Sequence, residues 1–312
     1  MKFRTEIEIL PYDRQLSYDD RLLALGSCFA TEIGRRMAEA KFRIAVNPSG
    51  VLFNPLSIVR TLRRYRDGLP VAKEELQHAD GRWFHYDFHG SLAGDTADEA
   101  LTRIDAAVAE GARALHEASA VLLTLGTAWV YERTDPGDVV ANCHRQPAER
   151  FRRRRLSVEE VVSAIESVLP DESSGKRILL TVSPVRHLGD GLAGNAVSKA
   201  VLRLAAEELS ERHAQVAYFP AYEILCDDLR DYRFYAKDML HPSEQAVEYI
   251  WELFSEAYFS PEAKRFIAEW RPLKEALGHR PLHPESAEYR DFMDKTMLKI
   301  SELSKKYPNF AL

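Results

Sequence analysis

The chain has 312 residues, 46% of them hydrophobic and 29% charged, and its 42 Lys and Arg against 48 Asp and Glu give a formal net charge of −6. That balance excludes a collagenous, a disordered or a strongly acidic solvating chain, and it lacks the basic footprint that goes with nucleic-acid binding. Three cysteines (Cys28, Cys143, Cys226) are too few for a disulfide framework and fit a reducing compartment.

The first residues, MKFRTEIEILPYDRQ, carry charges where a signal peptide needs an apolar stretch. No apolar run reaches the roughly 18 residues of a membrane span. A cytoplasmic protein without a membrane span is the expectation. Leu22 to Leu25 reads as a first buried strand ending in Gly-Ser, followed by a helix over 31–40. Arg43 to Val46 is a second strand, stopped by the turn signal Asn47-Pro48-Ser49-Gly50. Residues 54–65 are helical in pattern, and the aromatic-rich 83–88 reads as a strand or hairpin arm. Leu101, Ile104, Ala107 and Val108 share one face of a helix over 98–118. Ala120 to Leu125 is a third strand. Ser157 and Glu160 form a capping box that opens a helix running to about Val168. Ile178 to Val182 and Gln215 to Phe219 are the fourth and fifth strands, with helices over 196–212 and 243–258. From Ser260 on, two charged helices flank His279-Arg-Pro-Leu-His-Pro284.

Short apolar strands alternating with helices predict an α/β domain with a doubly wound parallel five-stranded sheet over residues 1–258, and a C-terminal helical extension over 259–312. In such folds the site lies beyond the carboxyl ends of the strands. That directs attention to the loops 26–29, 47–53, 126–131 and 183–195.

Ser27 follows the first strand and a glycine that permits a sharp turn. At a helix N-terminus, free N–H groups and the dipole favour developing negative charge, although a plain helix-capping serine fits the position equally. Asp238-Met-Leu-His241-Pro242 places an acid three residues before a histidine in a proline-closed loop. There the carboxylate can fix the imidazole tautomer and leave Nε2 as a base, and the same pattern also describes an ordinary helix-entry loop. A serine needs such a base to become a nucleophile. Cys28 is read as packing. Asn142-Cys143-His144 lacks the spacing of a zinc site, and no metal is expected. His85 and His89 would share one face of a strand. The run Arg150-Phe-Arg-Arg-Arg-Arg155 is read as a solvated loop.

Gly26-Ser27-Cys28-Phe29-Ala30 spells the name of the GSCFA family, which the chain resembles, a branch of the SGNH/GDSL hydrolase superfamily. Further blocks are similar to that family: Asn47-Pro-Ser-Gly-Val-Leu-Phe-Asn-Pro55, Leu125-Gly-Thr-Ala-Trp-Val-Tyr-Glu132, Asn142-Cys-His144, Ser183-Pro-Val-Arg-His187 and Asp238-x-x-His241-Pro, together spanning about residues 20–250. The resemblance implies a flavodoxin-like three-layer sandwich, with Ser27 as nucleophile and Asp238 and His241 as its partners. It also implies an oxyanion hole from the N–H groups of Ser27 and Gly50. The superfamily's third-block Gly-x-Asn reads Gly126-Thr127-Ala128 here, so the third donor is missing. Asn142 and Asn47 are the candidates to replace it.

The function expected on these grounds is an SGNH-type serine esterase that cleaves an acyl ester through an acyl-serine intermediate and needs no cofactor. The alternatives are O-acyl transfer to a sugar or other hydroxyl, and a binding or scaffold protein of weak activity. Trp129, Arg186 and His187 are the candidate substrate contacts. The expected partners are a small-molecule or carbohydrate acyl ester, or an acyl-coenzyme A whose phosphates would meet Arg186 or the Arg152–Arg155 run. Trp83, Phe84, Tyr86 and Phe88, with Trp129 and Tyr131, would wall an acceptor site if transfer is the reaction.

Overall fold

The computed structural model describes residues 4–307. Among them the elements run, in chain order, β1 (Arg21–Gly26), α1 (Cys28–Glu39), β2 (Arg43–Val46), α2 (Pro55–Asp67), β3 (Gln77–Ala79), β4 (Arg82–Phe84), α3 (Ala97–Glu117), β5 (Ala120–Leu125), β6 (Trp129–Arg133), β7 (Val139–Val140), β8 (Phe151–Arg155), α4 (Val158–Glu166), β9 (Arg177–Val182), α5 (Gly191–Arg212), β10 (Val216–Phe219), α6 (Ala221–Glu223), α7 (Glu244–Tyr258), α8 (Pro261–Gly278) and α9 (Ala287–Lys306).

The central sheet is parallel throughout, in the order β10-β9-β5-β1-β2. Its strands are apolar runs because both faces are covered, and the two-residue alternation sorts their side chains between layers. Leu22 and Ala24 join Phe29, Ile33 and Met37 of α1 and Ile250 and Phe254 of α7 on one face. Leu23 and Leu25 join Ile58 of α2, Ile104 of α3, Val161 of α4 and Leu202 of α5 on the other. The result is a three-layer α/β sandwich. Successive strands add on opposite sides of β1, so the order reverses between β1 and β5, the place where open α/β sheets set their sites.

Local signals set the helix ends. Asn54 caps α2 through a 2.9 Å bond from Ser57 N–H to its Oδ1, with Pro55 in the first turn and Gly68 left-handed at the end. Ser157 and Glu160 close the expected capping box of α4.

Two expectations need correction. Residues Phe151–Arg155 are not a loop; they form β8, antiparallel to β6 in a three-stranded sheet with β7. Their charge is met from across the sheet, where Arg152 and Arg154 both bind the buried Glu132. The strand predicted over 83–88 ends at Phe84, so His85 and His89 share no strand face. His85 is buried, with Nδ1 accepting the Asp87 N–H at 3.0 Å, and His89 caps a single 3-10 turn.

Helices α8 and α9 form a hairpin with its own core of Phe266, Trp270, Leu273, Ile300 and Leu303. The hairpin docks where the Trp270 indole N–H donates to Glu39 O at 2.8 Å. Among the described residues no helix is long and apolar enough to cross a membrane.

Candidate active site

Ser27 lies at the switch between β1 and β5 and is the N-cap of α1, its Oγ accepting the Phe29 N–H at 3.3 Å. Three neighbours set its place. Gly26 takes φ +136°, and a Cβ there would run into the Thr124 carbonyl, so only glycine fits. Asn47, itself at φ +45°, accepts the Gly26 N–H on Oδ1 at 2.9 Å and donates from Nδ2 to Thr31 at 3.0 Å. Gly126 packs so closely that a Cβ on it would lie 3.4 Å from the Ser27 Cβ. Ser27 is buried, 1% exposed.

The N–H groups differ from expectation. Ser27 N–H donates to Thr124 O at 3.2 Å, and Gly50 N–H closes a turn on Asn47 O at 2.7 Å. Both donors are engaged, because Gly26 directs the chain so that the ladder to β5 continues for one more bond, while the 47–50 turn satisfies itself. Asn47 acts as a clamp on the turn, with Oδ1 on Gly26 N–H and one of its two Nδ2 N–H groups on Thr31. Asn142 Oδ1 holds its own turn through the His144 N–H at 2.8 Å, while Nδ2 lies near Gly90 in the loop whose His89 packs on Gly50.

The acid–base pair forms as expected. Asp238 Oδ2 lies 2.6 Å from His241 Nδ1, while Oδ1 accepts the Leu240 and His241 N–H groups at 2.9 and 3.0 Å. These bonds, that of His241 N–H foremost, hold Asp238 down to about 2, so it is ionised at neutral pH. The loop is fastened to the end of β9 by Arg186, whose N–H donates to Leu240 O at 3.1 Å. The Arg186 guanidinium stacks 3.9 Å from the Tyr235 ring centroid and reaches Met239 O. Arg186 is therefore a brace for the His241 loop. No hydrogen bond among the described residues joins His241 Nε2 to Ser27 Oγ, and the imidazole is 45% exposed.

His187, one of the expected substrate contacts, meets Phe53 edge to face at 5.6 Å. Phe53 O accepts the N–H groups of Gly126 and Thr127. Burial, then Lys199 and His241, push His187 down to about 4, so it is neutral. Its Nε2 is buried with no hydrogen-bond partner, which suits a polar ligand atom. Trp129, the first residue of β6, lies against the first turn of α5, with its indole N–H 3.4 Å from Gly194 O and Arg153 stacked 4.2 Å from its ring centroid.

The other candidates are structural. Phe84, Tyr86 and Phe88 are buried and form no acceptor wall. His144 stacks on Phe84 and directs Nε2 at the carbonyls of His85 and Phe88. Burial pushes the Cys28 thiol up, which keeps it neutral. Among the described residues no group of three or more His, Cys, Asp or Glu is arranged to hold a metal ion.

The GSCFA family matches residues 21–254, three quarters of the chain. The chain belongs to the GSCFA family. A second match, to the GSCFA domain protein C-terminal domain, covers residues 270–312 and so takes in the second half of α8 and all of α9. No match is found among curated proteins or among solved structures. The motif that names the family is the Ser27 turn itself, and the first of the two matches ends within α7, after the His241 loop.

Proposed function

We propose that this GSCFA protein is a serine acyl-transfer enzyme of the SGNH/GDSL kind, acting first as an esterase. The observation that carries the reading is that the Asp238–His241 pair, closed at 2.6 Å, is braced by Arg186 to the end of β9, on the sheet edge where Ser27 caps α1. In this reading Ser27 Oγ bonds to the acyl carbon while its proton passes to His241 Nε2. The tetrahedral intermediate then expels the alcohol, which takes that proton from His241. Water, activated by the same imidazole, releases the acid and frees Ser27. Asp238 orients the imidazole and balances its charge. Catalytic hydrogen bonds are often long without substrate, so His241 closes on Ser27 as the ester enters. The oxyanion requires the N–H groups of Ser27 and Gly50 to exchange their present carbonyl partners for it, with Asn142 Nδ2 as the third donor and His187 Nε2 meeting a polar atom of the substrate.

Reaction with a fluorophosphonate probe tests this directly. Wild type should be labelled at Ser27, and Ser27→Ala should not. One observation favours a scaffold that has lost its chemistry: both expected oxyanion N–H groups already hold carbonyl partners. A folded wild type inert to the probe would establish that second reading instead.

A further inference from the structure

Lys199 lies on the face of α5 that packs into the core, among Asn195, Ser198, Leu202 and Ala205, and is 1% exposed. Its Nζ donates to Gly126 O at 2.6 Å and to Ser183 O at 2.7 Å, the carbonyls just beyond the ends of β5 and β9. No carboxylate among the described residues forms an ion pair with it. The preceding residue continues the attachment: Ser198 Oγ accepts the Ala128 N–H at 2.7 Å and lies 3.1 Å from Thr127 Oγ1. Thus α5 pins three successive residues of the turn that touches Ser27. A buried cation without a counter-charge carries a desolvation cost that hydrogen bonds to two neutral carbonyls offset only in part. Its chemistry suits a site where negative charge develops, in surroundings too dry to screen it.

We propose that Lys199 is a positioning residue for the Ser27 reaction: its buried ammonium fixes the Gly126 and Ser183 strand ends and sets a positive charge behind the turn against Ser27, where it stabilises the oxyanion. This rests on the acyl-serine reading. The side chains facing Lys199 are His187 from the loop after β9 and Tyr222 and Cys226 from the 221–229 segment, the Tyr222 ring centroid lying 5.9 Å from Nζ. Burial pushes Lys199 down to about 7 and His187 to about 4, and raises Cys226 and Tyr222. Of these four, Lys199 alone titrates near neutrality. Its amine form still has two N–H groups for the two carbonyls, so raising the pH removes the charge and leaves the bonds.

The test is the rate of fluorophosphonate labelling of Ser27 in wild type, Lys199→Met and Lys199→Arg, with melting curves as the check on folding. The rate of wild type relative to Lys199→Met should be about tenfold at pH ~6 and fall towards one by pH ~9. Lys199→Arg, charged throughout, should hold its rate where wild type loses it. If Lys199→Met does not fold, the Lys199→Arg to wild-type ratio must rise over the same interval. A folded Lys199→Met labelled as fast as wild type, or ratios that do not change with pH, would overturn the role of Lys199 alone. A wild type unlabelled at every pH would overturn the acyl-serine reading and this inference with it.

Discussion

Asp238 grips His241 at two points, taking the backbone N–H on Oδ1 at 3.0 Å and facing the ring Nδ1 with Oδ2 at 2.6 Å. The carboxylate thus sets both the place of the residue and the orientation of its ring. Met239, at φ +60°, is the residue that bends the chain tightly enough for this. Asp238→Asn should keep the loop bonds on the side-chain oxygen and lose the ionic contact to the ring. The expected outcome is a fall in kcat for a short aryl ester of about a hundredfold or more, with KM little changed. The carboxyl is held down to about 2, so its contribution is present above the unfolded value and is lost only as pH falls from about 4 through 2. Activity lost between pH 7 and 5 would not be due to Asp238.

Ser27→Ala should abolish labelling and ester cleavage while costing only the cap bond to Phe29, about 0.5–2 kcal/mol of stability. Cys28→Ala should be labelled as wild type. Labelling that disappears with Cys28 and survives the loss of Ser27 would reverse the assignment.

Arg186→Ala separates a brace from a substrate contact. Because the guanidinium stacks on Tyr235 and reaches Met239 O, its removal should loosen the His241 loop and lower kcat, with KM unchanged. Arg186→Lys should rescue little, since an ammonium does not stack as a planar guanidinium does. A rise in KM confined to anionic esters would show instead that Arg186 holds the substrate.

Gly50→Ala combines a φ of +80° with a Cβ directed at the His89 side chain. Destabilisation of about 1 kcal/mol or more is expected, together with a displaced 85–94 loop. Denaturant titration measures the first, and the labelling rate of Ser27 reports the second. An alanine variant as stable as wild type would show that the turn adapts.

His144 and His187 are each pushed down to about 4 by burial. An unfolded histidine takes up its proton near 6.5, so between about 6.5 and 4 the unfolded chain binds more protons and stability falls as pH is lowered. Melting temperatures from pH 7 to 4 should show this decline. His144→Gln should flatten it, at the cost of a lower melting temperature at pH 7 from the lost contacts to Phe84 and the two carbonyls.

The central strands were legible because a parallel sheet covered on both faces turns each strand into a short apolar run, as at Leu22–Leu25 and Ala120–Leu125. Ser157 with Glu160, and Asp238 with His241, could be read because their partners lie three residues apart and local geometry suffices. Where the partner is distant in the chain, tertiary structure decided. Five residues containing four arginines become β8 only because Glu132, twenty residues earlier, neutralises Arg152 from the adjacent strand. Lys199 has the look of an ordinary surface lysine in a helix, and it is buried because two strand ends supply carbonyls that nothing else satisfies. Ser27 and Gly50 were placed correctly at the strand ends, but the direction of their N–H groups depends on the dihedrals at Gly26 and Asn47. Those are fixed by packing against β5 and by the Asn47 clamp, contacts that join residues far apart in sequence, so no local pattern encodes them.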